Sequence, residues 1–175
     1  MKIFKFLLTL GLIGLIGISL FIYSGLFPIG ADTPHSKPVY WVLEQTRERS
    51  IERASADIEV PSLEDPSLLL SGGADYNDMC SSCHLTPGQK ESDMSLGLYP
   101  SPPNLAFDHA EKHEHGDKNT IARKRFWTIK HGIKASGMPA WGITHDDERI
   151  WAMVAFLQKL PELTPEQYQI LTARE

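Results

Sequence analysis

Both cysteines of this chain fall within five consecutive residues, Cys80-Ser81-Ser82-Cys83-His84. Two thiols at this spacing, followed at once by an imidazole, form the attachment pattern of a c-type haem. The thiols bond to side groups of the macrocycle, and the histidine reaches the iron from one face as an axial ligand. A fold built around this motif must wall in a large apolar cofactor, and that constrains everything else. The rival readings lack their context. A dithiol redox pair is expected beside a βαβ pattern, a structural zinc takes four Cys or His ligands, and a disulfide closing so short a loop stabilises little. One covalently attached haem c is therefore the expected cofactor, held by Cys80, Cys83 and His84.

No charged residue occurs from Phe6 to Gly30. As a helix this run is about 36 Å long, enough to cross a hydrocarbon core of about 30 Å with some tilt. A secretory signal is the alternative, with Lys2 and Lys5 as its basic start and Ile29-Gly30-Ala31 as a weak cleavage site. Signal apolar regions, however, are only about 7–15 residues long. The expectation is a retained anchor over residues 1–30, with the basic N-terminus inside and the remainder outside. Gly11, Gly14 and Gly17 share a helical face that suits a second membrane helix, although glycine is common in membrane helices anyway.

Residues 31–65 read as a linker and a helical arm. From Val39 to Ile58 an apolar stripe (Tyr40, Leu43, Ile51, Ala54, Ile58) runs beside Arg47, Glu48, Arg49, Glu52 and Arg53. The like-charged pairs Glu48–Glu52 and Arg49–Arg53 oppose an isolated helix, so the stripe should pack on the haem domain or a partner. Residues 66–160 form the expected haem domain. Asp65 caps a helix opened by Pro66 and carrying Leu69, Gly72 and Tyr76 to Cys80. Leu85 to His115 is rich in loop signals. Thr120 is the expected cap of a helix ending at Gly132, with Ala122, Phe126, Ile129 and Ile133 facing inward. Another helix follows the acidic run Asp146-Asp147-Glu148 as far as Pro161, and Thr164-Pro165-Glu166-Gln167 opens a short one in the 161–175 tail. Without an alternating strand pattern, the fold class is all-α. A net charge of −5 gives no basic footprint for nucleic acid.

The iron needs an occupant opposite His84, and the chain has five methionines. Met1 lies across the membrane, Met79 adjoins the motif, and Met153 belongs to an apolar helix face. Of Met94 and Met138, Met138 is preferred, because Gly137 and Pro139 can fix a loop that brings backbone close to the haem. His131 or His145 is the alternative, and the choice matters because Met/His ligation raises the potential. His109, His113 and His115 suggest a second metal site, but among Asp108, Glu111, Lys112, Glu114 and Asp117 they read equally well as a solvated loop.

Gly72, Tyr76, Cys80-x2-Cys83-His84, then Gly137-Met138-Pro139 and a final helix with Trp151 and Phe156, together resemble class I cytochromes c. More narrowly, with the run Phe126 to Lys134 leading into the methionine loop, the chain is similar to the membrane-anchored monohaem c-type cytochromes of bacteria. The resemblance implies crossing N- and C-terminal helices, with Gly72 and Tyr76 against the aromatic face of the last. It also implies that a carbonyl of the Pro102-Pro103-Asn104-Leu105 segment, that of Pro103, accepts a hydrogen bond from the axial imidazole. The function it implies is electron transfer rather than catalysis: a haem domain in the periplasm, tethered to the inner membrane, serving membrane or periplasmic redox proteins without a small-molecule substrate. Arg123, Lys124, Arg125, Lys130 and Lys134 would steer an acidic partner, or are an ordinary solvated face. Alternatives are a subunit of an oxidase or dehydrogenase complex, and an open-site peroxidase or gas sensor. The His109–Lys118 insertion departs from the class I pattern.

Overall fold

The computed structural model describes residues 1–107 and 117–173, which fall into two compact units, Met1–Pro34 and His35–Glu175. The described residues are helical, with no strand among them. The first unit is helix α1, Lys2–Ser24, which ends at Gly25 in the left-handed conformation (φ 66°). With 23 residues and none buried, it is long and apolar enough to cross a membrane. Its hydroxyls are satisfied within the helix: Thr9 donates to the Lys5 carbonyl and Ser19 to that of Leu15. In lipid, that avoids stranding a polar group.

The second unit begins with α2, Lys37–Ala54. The expected end at Ile58 is too late: Ser55, fully buried, caps the helix instead. The expected stripe is only partly used. Ile51 is buried, but Tyr40, Leu43 and Ala54 stay exposed. The helix packs on the haem domain through its C-terminal end, beside which Arg123 donates to the Ala56 carbonyl, while His35, just before the helix, is tied to Tyr99. Its charges also pair differently from the expected repulsions, because Arg47 lies 2.6 Å from Glu44 and Arg49 3.2 Å from Glu52, both at i,i+3.

Helix α3, Pro66–Met79, is capped by the Asp65 side chain and has Pro66 in its first turn. A single turn, α4 (Ser81–His84), follows, and then α5, Asp93–Gly97, opened by a capping box between Ser92 and Ser95. That helix lies in a stretch that reads as loop, because the glycines and prolines around it mask one turn. Helix α6, Lys118–His131, is capped by Asp117, whose side chain accepts from the Thr120 N–H. Thr120 is thus in the first turn rather than at the cap, since a carboxylate three residues earlier is the stronger acceptor. Helices α7 (Asp147–Lys159) and α8 (Pro165–Thr172) complete the unit, capped by Asp146 and by a Thr164–Gln167 capping box.

The most extensive packing is between α3 and α7. A Cβ on Gly72 would lie 2.0 Å from the Ala152 carbonyl oxygen, so only glycine lets the two backbones come this close. Around this crossing Tyr76, Phe156 and Tyr168 form one aromatic group, with centroids 5.5 Å apart for Tyr76–Phe156 and 6.3 Å for Tyr76–Tyr168. Ile150, Met153, Val154 and Leu160 are fully buried beside them. The crossing also holds a polar link that periodicity did not suggest. Asp75, 4% exposed, accepts two hydrogen bonds from Arg149, one of them 2.7 Å from Nη2.

Candidate haem site

Burial by α3 and α7 places the end of α3, and with it the attachment motif, at the edge of the core. Cys80 caps α3 and starts α4, so both thiols and the imidazole belong to one turn of helix. The cysteines are free and half-buried. Burial pushes the Cys80 thiol up to about 12, with Asp75 and Cys83 adding to the shift.

His84 is held at three points. Its Nδ1 lies 2.8 Å from the Pro103 carbonyl oxygen. A carbonyl only accepts, so Nδ1 carries the proton and Nε2 keeps its lone pair, as an iron ligand requires. Burial lowers the imidazole pKa, which favours that neutral form, against the opposing effect of the Pro103 bond. The His84 main-chain carbonyl accepts from the Leu105 N–H at 3.1 Å and lies 3.2 Å from the Tyr76 hydroxyl, whose one proton it shares with the closer Leu85 carbonyl. One segment, Pro103 to Leu105, therefore fixes both the ring and the backbone of His84.

The next residue explains why Tyr76 is needed. Leu85 turns the chain at φ 69°, a region unfavourable to a branched side chain, while its own side chain is buried. Such backbone persists only where its surroundings over-determine it. Here the Tyr76 hydroxyl donates to the Leu85 carbonyl at 2.6 Å. Burial raises the pKa of Tyr76 well above the ordinary phenol value, so the donor keeps its proton.

Met138 follows α6 in a loop tied by local polar contacts. The Ile133 N–H donates to the Met138 carbonyl at 3.1 Å, the Met138 N–H to Ser136 Oγ at 3.1 Å, and Ser136 Oγ to the Ile133 carbonyl at 2.8 Å. Gly132, at φ 63°, starts the loop, and a Cβ there would come within 2.7 Å of Pro139 and Ala140 backbone. A Cβ on Gly137 would lie 2.7 Å from Leu98 Cδ2, so Leu98 covers this loop from the side. Met138 is half-buried and packs, like Cys80 and Leu105, against the core cluster containing Tyr76 and Phe126.

The other candidates are placed differently. His131 is exposed and its ring lies 4.9 Å from that of Trp127. His145 Nδ1 is 2.8 Å from Thr144 Oγ1, its ring meets Trp141 edge-on, and its Nε2 is buried without a hydrogen-bond partner. His109, His113 and His115 lie outside the described residues, and no cluster of metal-ligating side chains occurs among those described. Three of the five expected steering cations have internal partners. Arg123 binds Ala56 and Thr120, Arg125 the Leu157 carbonyl, and Lys130 the Asp147 carboxylate at 2.6 Å. A groove of about 560 Å³ bordered by Asn77, Thr86, Pro165 and Tyr168 adjoins the motif but contains none of its donors.

The donor set suits haem: two free thiols, a neutral imidazole with its lone pair available, and half-buried apolar side chains beside them. When bound, the group supplies an iron that exchanges single electrons. The protein holds the imidazole's proton on Nδ1 and its ring in place.

Residues 68–157, just over half of the chain, match the family described as "Cytochrome C oxidase, cbb3-type, subunit III". No curated protein and no solved structure matches the chain. The match covers the glycine of the α3–α7 crossing, the thiols, the imidazole and the methionine loop together. The chain belongs to this family and is an all-helical monohaem c-type cytochrome, its haem c bonded covalently to the protein.

Proposed function

We propose that this protein is a membrane-tethered carrier of single electrons whose iron is ligated by His84 and Met138, with the haem domain on the periplasmic face of a bacterial inner membrane. The observation that carries the reading is the double hold of Pro103–Leu105 on His84, set against a methionine loop tied by its own hydrogen bonds. With both axial positions filled by protein, no substrate reaches the metal, and the residues around it serve to keep each donor in place in both oxidation states. The α1 helix supports the tether, with Lys2 and Lys5 in its opening turns holding the N-terminus in the cytoplasm.

The family description favours a second reading, in which the chain works as a subunit of an oxidase complex. Extraction in mild detergent separates the two: a complex-bound subunit co-purifies with oxidase chains, whereas a free-standing carrier leaves them behind. Ligation is tested by absorption spectroscopy of the haem-loaded chain in both oxidation states. The wild type should be low-spin, resist carbon monoxide and cyanide, and show a thioether-to-iron charge-transfer band that Met138→Ala and Met138→His both lose. A high-spin wild type that binds the probes readily would leave the iron open and support the peroxidase or sensor alternative.

A further inference from the structure

The half of α2 that does not pack on the haem domain is its N-terminal end, and it is apolar. Val39, Tyr40, Trp41, Val42 and Leu43 are 36%, 42%, 64%, 52% and 52% exposed. Five consecutive helical positions, turning about 100° each, cover the whole circumference. This is therefore not a stripe waiting for one neighbour but an apolar helix end. Polar residues take over immediately beyond it, with Glu44, Gln45, Thr46 and the Arg47 that pairs with Glu44 and Glu48.

We infer that this end of α2 dips into the headgroup layer of the same bilayer that α1 crosses. The inference rests on the anchoring role proposed for α1. Twelve residues separate Ser24 from Lys37. At about 3.3–3.6 Å per residue they extend no further than roughly 43 Å, which bounds how far the patch can stray from the membrane. Leu26 and Ile29 in that linker are exposed apolar residues too, which continues the membrane-seeking character between the helices. Val39 to Leu43 rises about 6 Å, comparable with an interfacial layer of about 5–7 Å on each side of the hydrocarbon. The side chains also fit. Tyr40 and Trp41 are the residue types that settle at headgroup depth, no charge lies between Lys37 and Glu44, and Lys37 suits an anionic lipid.

The mount on the other side is firm. His35 donates its N–H to the Tyr99 hydroxyl at 3.1 Å and stacks edge-on against that ring, while Ile51 and Ser55 are buried at the far end of the helix. Contact with lipid therefore orients the haem domain as a body instead of leaving it to swing on a loose tether.

The test uses the full haem-loaded chain in nanodiscs at no more than one chain per disc, so that a second copy cannot cover the patch. The lipids are phosphatidylethanolamine and phosphatidylglycerol carrying a photoactivatable group high in the acyl chain, and adducts are mapped by mass spectrometry. Adducts are expected in both α1 and Val39–Leu43. The double variant Trp41→Glu, Val42→Glu should lower those in the α2 peptide roughly tenfold while leaving α1 labelling and the haem spectrum unchanged. Labelling of α1 without Val39–Leu43 overturns the inference and points to a protein partner for the patch. Absence of labelling from α1 as well overturns the anchor.

Discussion

The α3–α7 crossing and the Met138 loop lie against one core but are held by opposite means. The crossing is a matter of shape: two backbones meet at Gly72, aromatic rings fill the space around them, and a polar contact joins Asp75 to Arg149, 74 residues away. The loop has little buried surface of its own. It depends on a glycine at positive φ, a serine hydroxyl and the side chain of Leu98. Damage to the crossing should therefore remove the fold, whereas damage to the loop should remove the proposed ligand and leave the fold.

The largest effect is expected from Gly72→Ala. Its new methyl meets main-chain atoms of Ala152 and Met153, which cannot step aside, so stability should fall by at least ~3 kcal/mol. The yield of haem-loaded protein and its denaturant midpoint would register this, and a wild-type midpoint would refute the account of the crossing. Next comes Arg149→Met, which removes two hydrogen bonds from the buried Asp75 carboxylate. Arg149 is itself 44% exposed and water eases the defect, so about 2 kcal/mol is expected. Asp75→Asn, which leaves only a solvated guanidinium behind, should cost less, and the reverse order would mean that the arginine carries the burden.

Gly132→Ala sharpens the comparison from the other side. It forces a side chain into positive φ and against Pro139, at a cost of about 2 kcal/mol. It should also abolish the thioether-to-iron band in a protein that still unfolds cooperatively. If the band survives intact, Met138 does not depend on this turn. Ser136→Ala is the milder version. Losing one acceptor and one donor should cost about 1 kcal/mol and make the methionine easier for cyanide to displace. The smallest effect belongs to the crossing again. Burial pushes the Tyr168 phenol from an ordinary value near 10 up to about 12. The unfolded chain then releases that proton first, so stability should decline as pH rises from 10 towards 12. Tyr168→Phe should flatten the decline in denaturant midpoints, with Tyr76, raised in the same direction, supplying what remains.

What was readable in the sequence follows the same division. The α3–α7 packing was visible because Gly72, Tyr76 and Phe156 recur at helical spacing, and the caps at Asp65 and Thr164 sit beside proline. Asp75 was invisible, since an acid one position from a buried tyrosine looks like an ordinary exposed residue until Arg149 arrives from another helix. Thr120 is the cap expected from the sequence and Asp117 the cap observed for α6, because both residue types are good caps and only the fold chooses. The arm's stripe is covered only in part: helical spacing shows that residues share a face, not that anything covers it. Around the iron, Cys80, Cys83 and His84 came from local spacing, whereas Pro103 came only through the family likeness. No periodicity could bring a carbonyl to an imidazole 19 residues away.

The segment from Leu98 to Leu105 touches both sides of the proposed iron environment, through Leu98 against Gly137 and through Pro103 and Leu105 on His84. An electron crosses quickly only if the nuclei around the donor barely move when the charge changes. A single strap bracing both donors limits how far either can relax, so with His84/Met138 ligation the oxidised and reduced forms would differ little in shape. Loosening the strap at Leu98 would slow self-exchange between the two forms even where the midpoint potential stays constant, making speed and driving force separately adjustable in this protein.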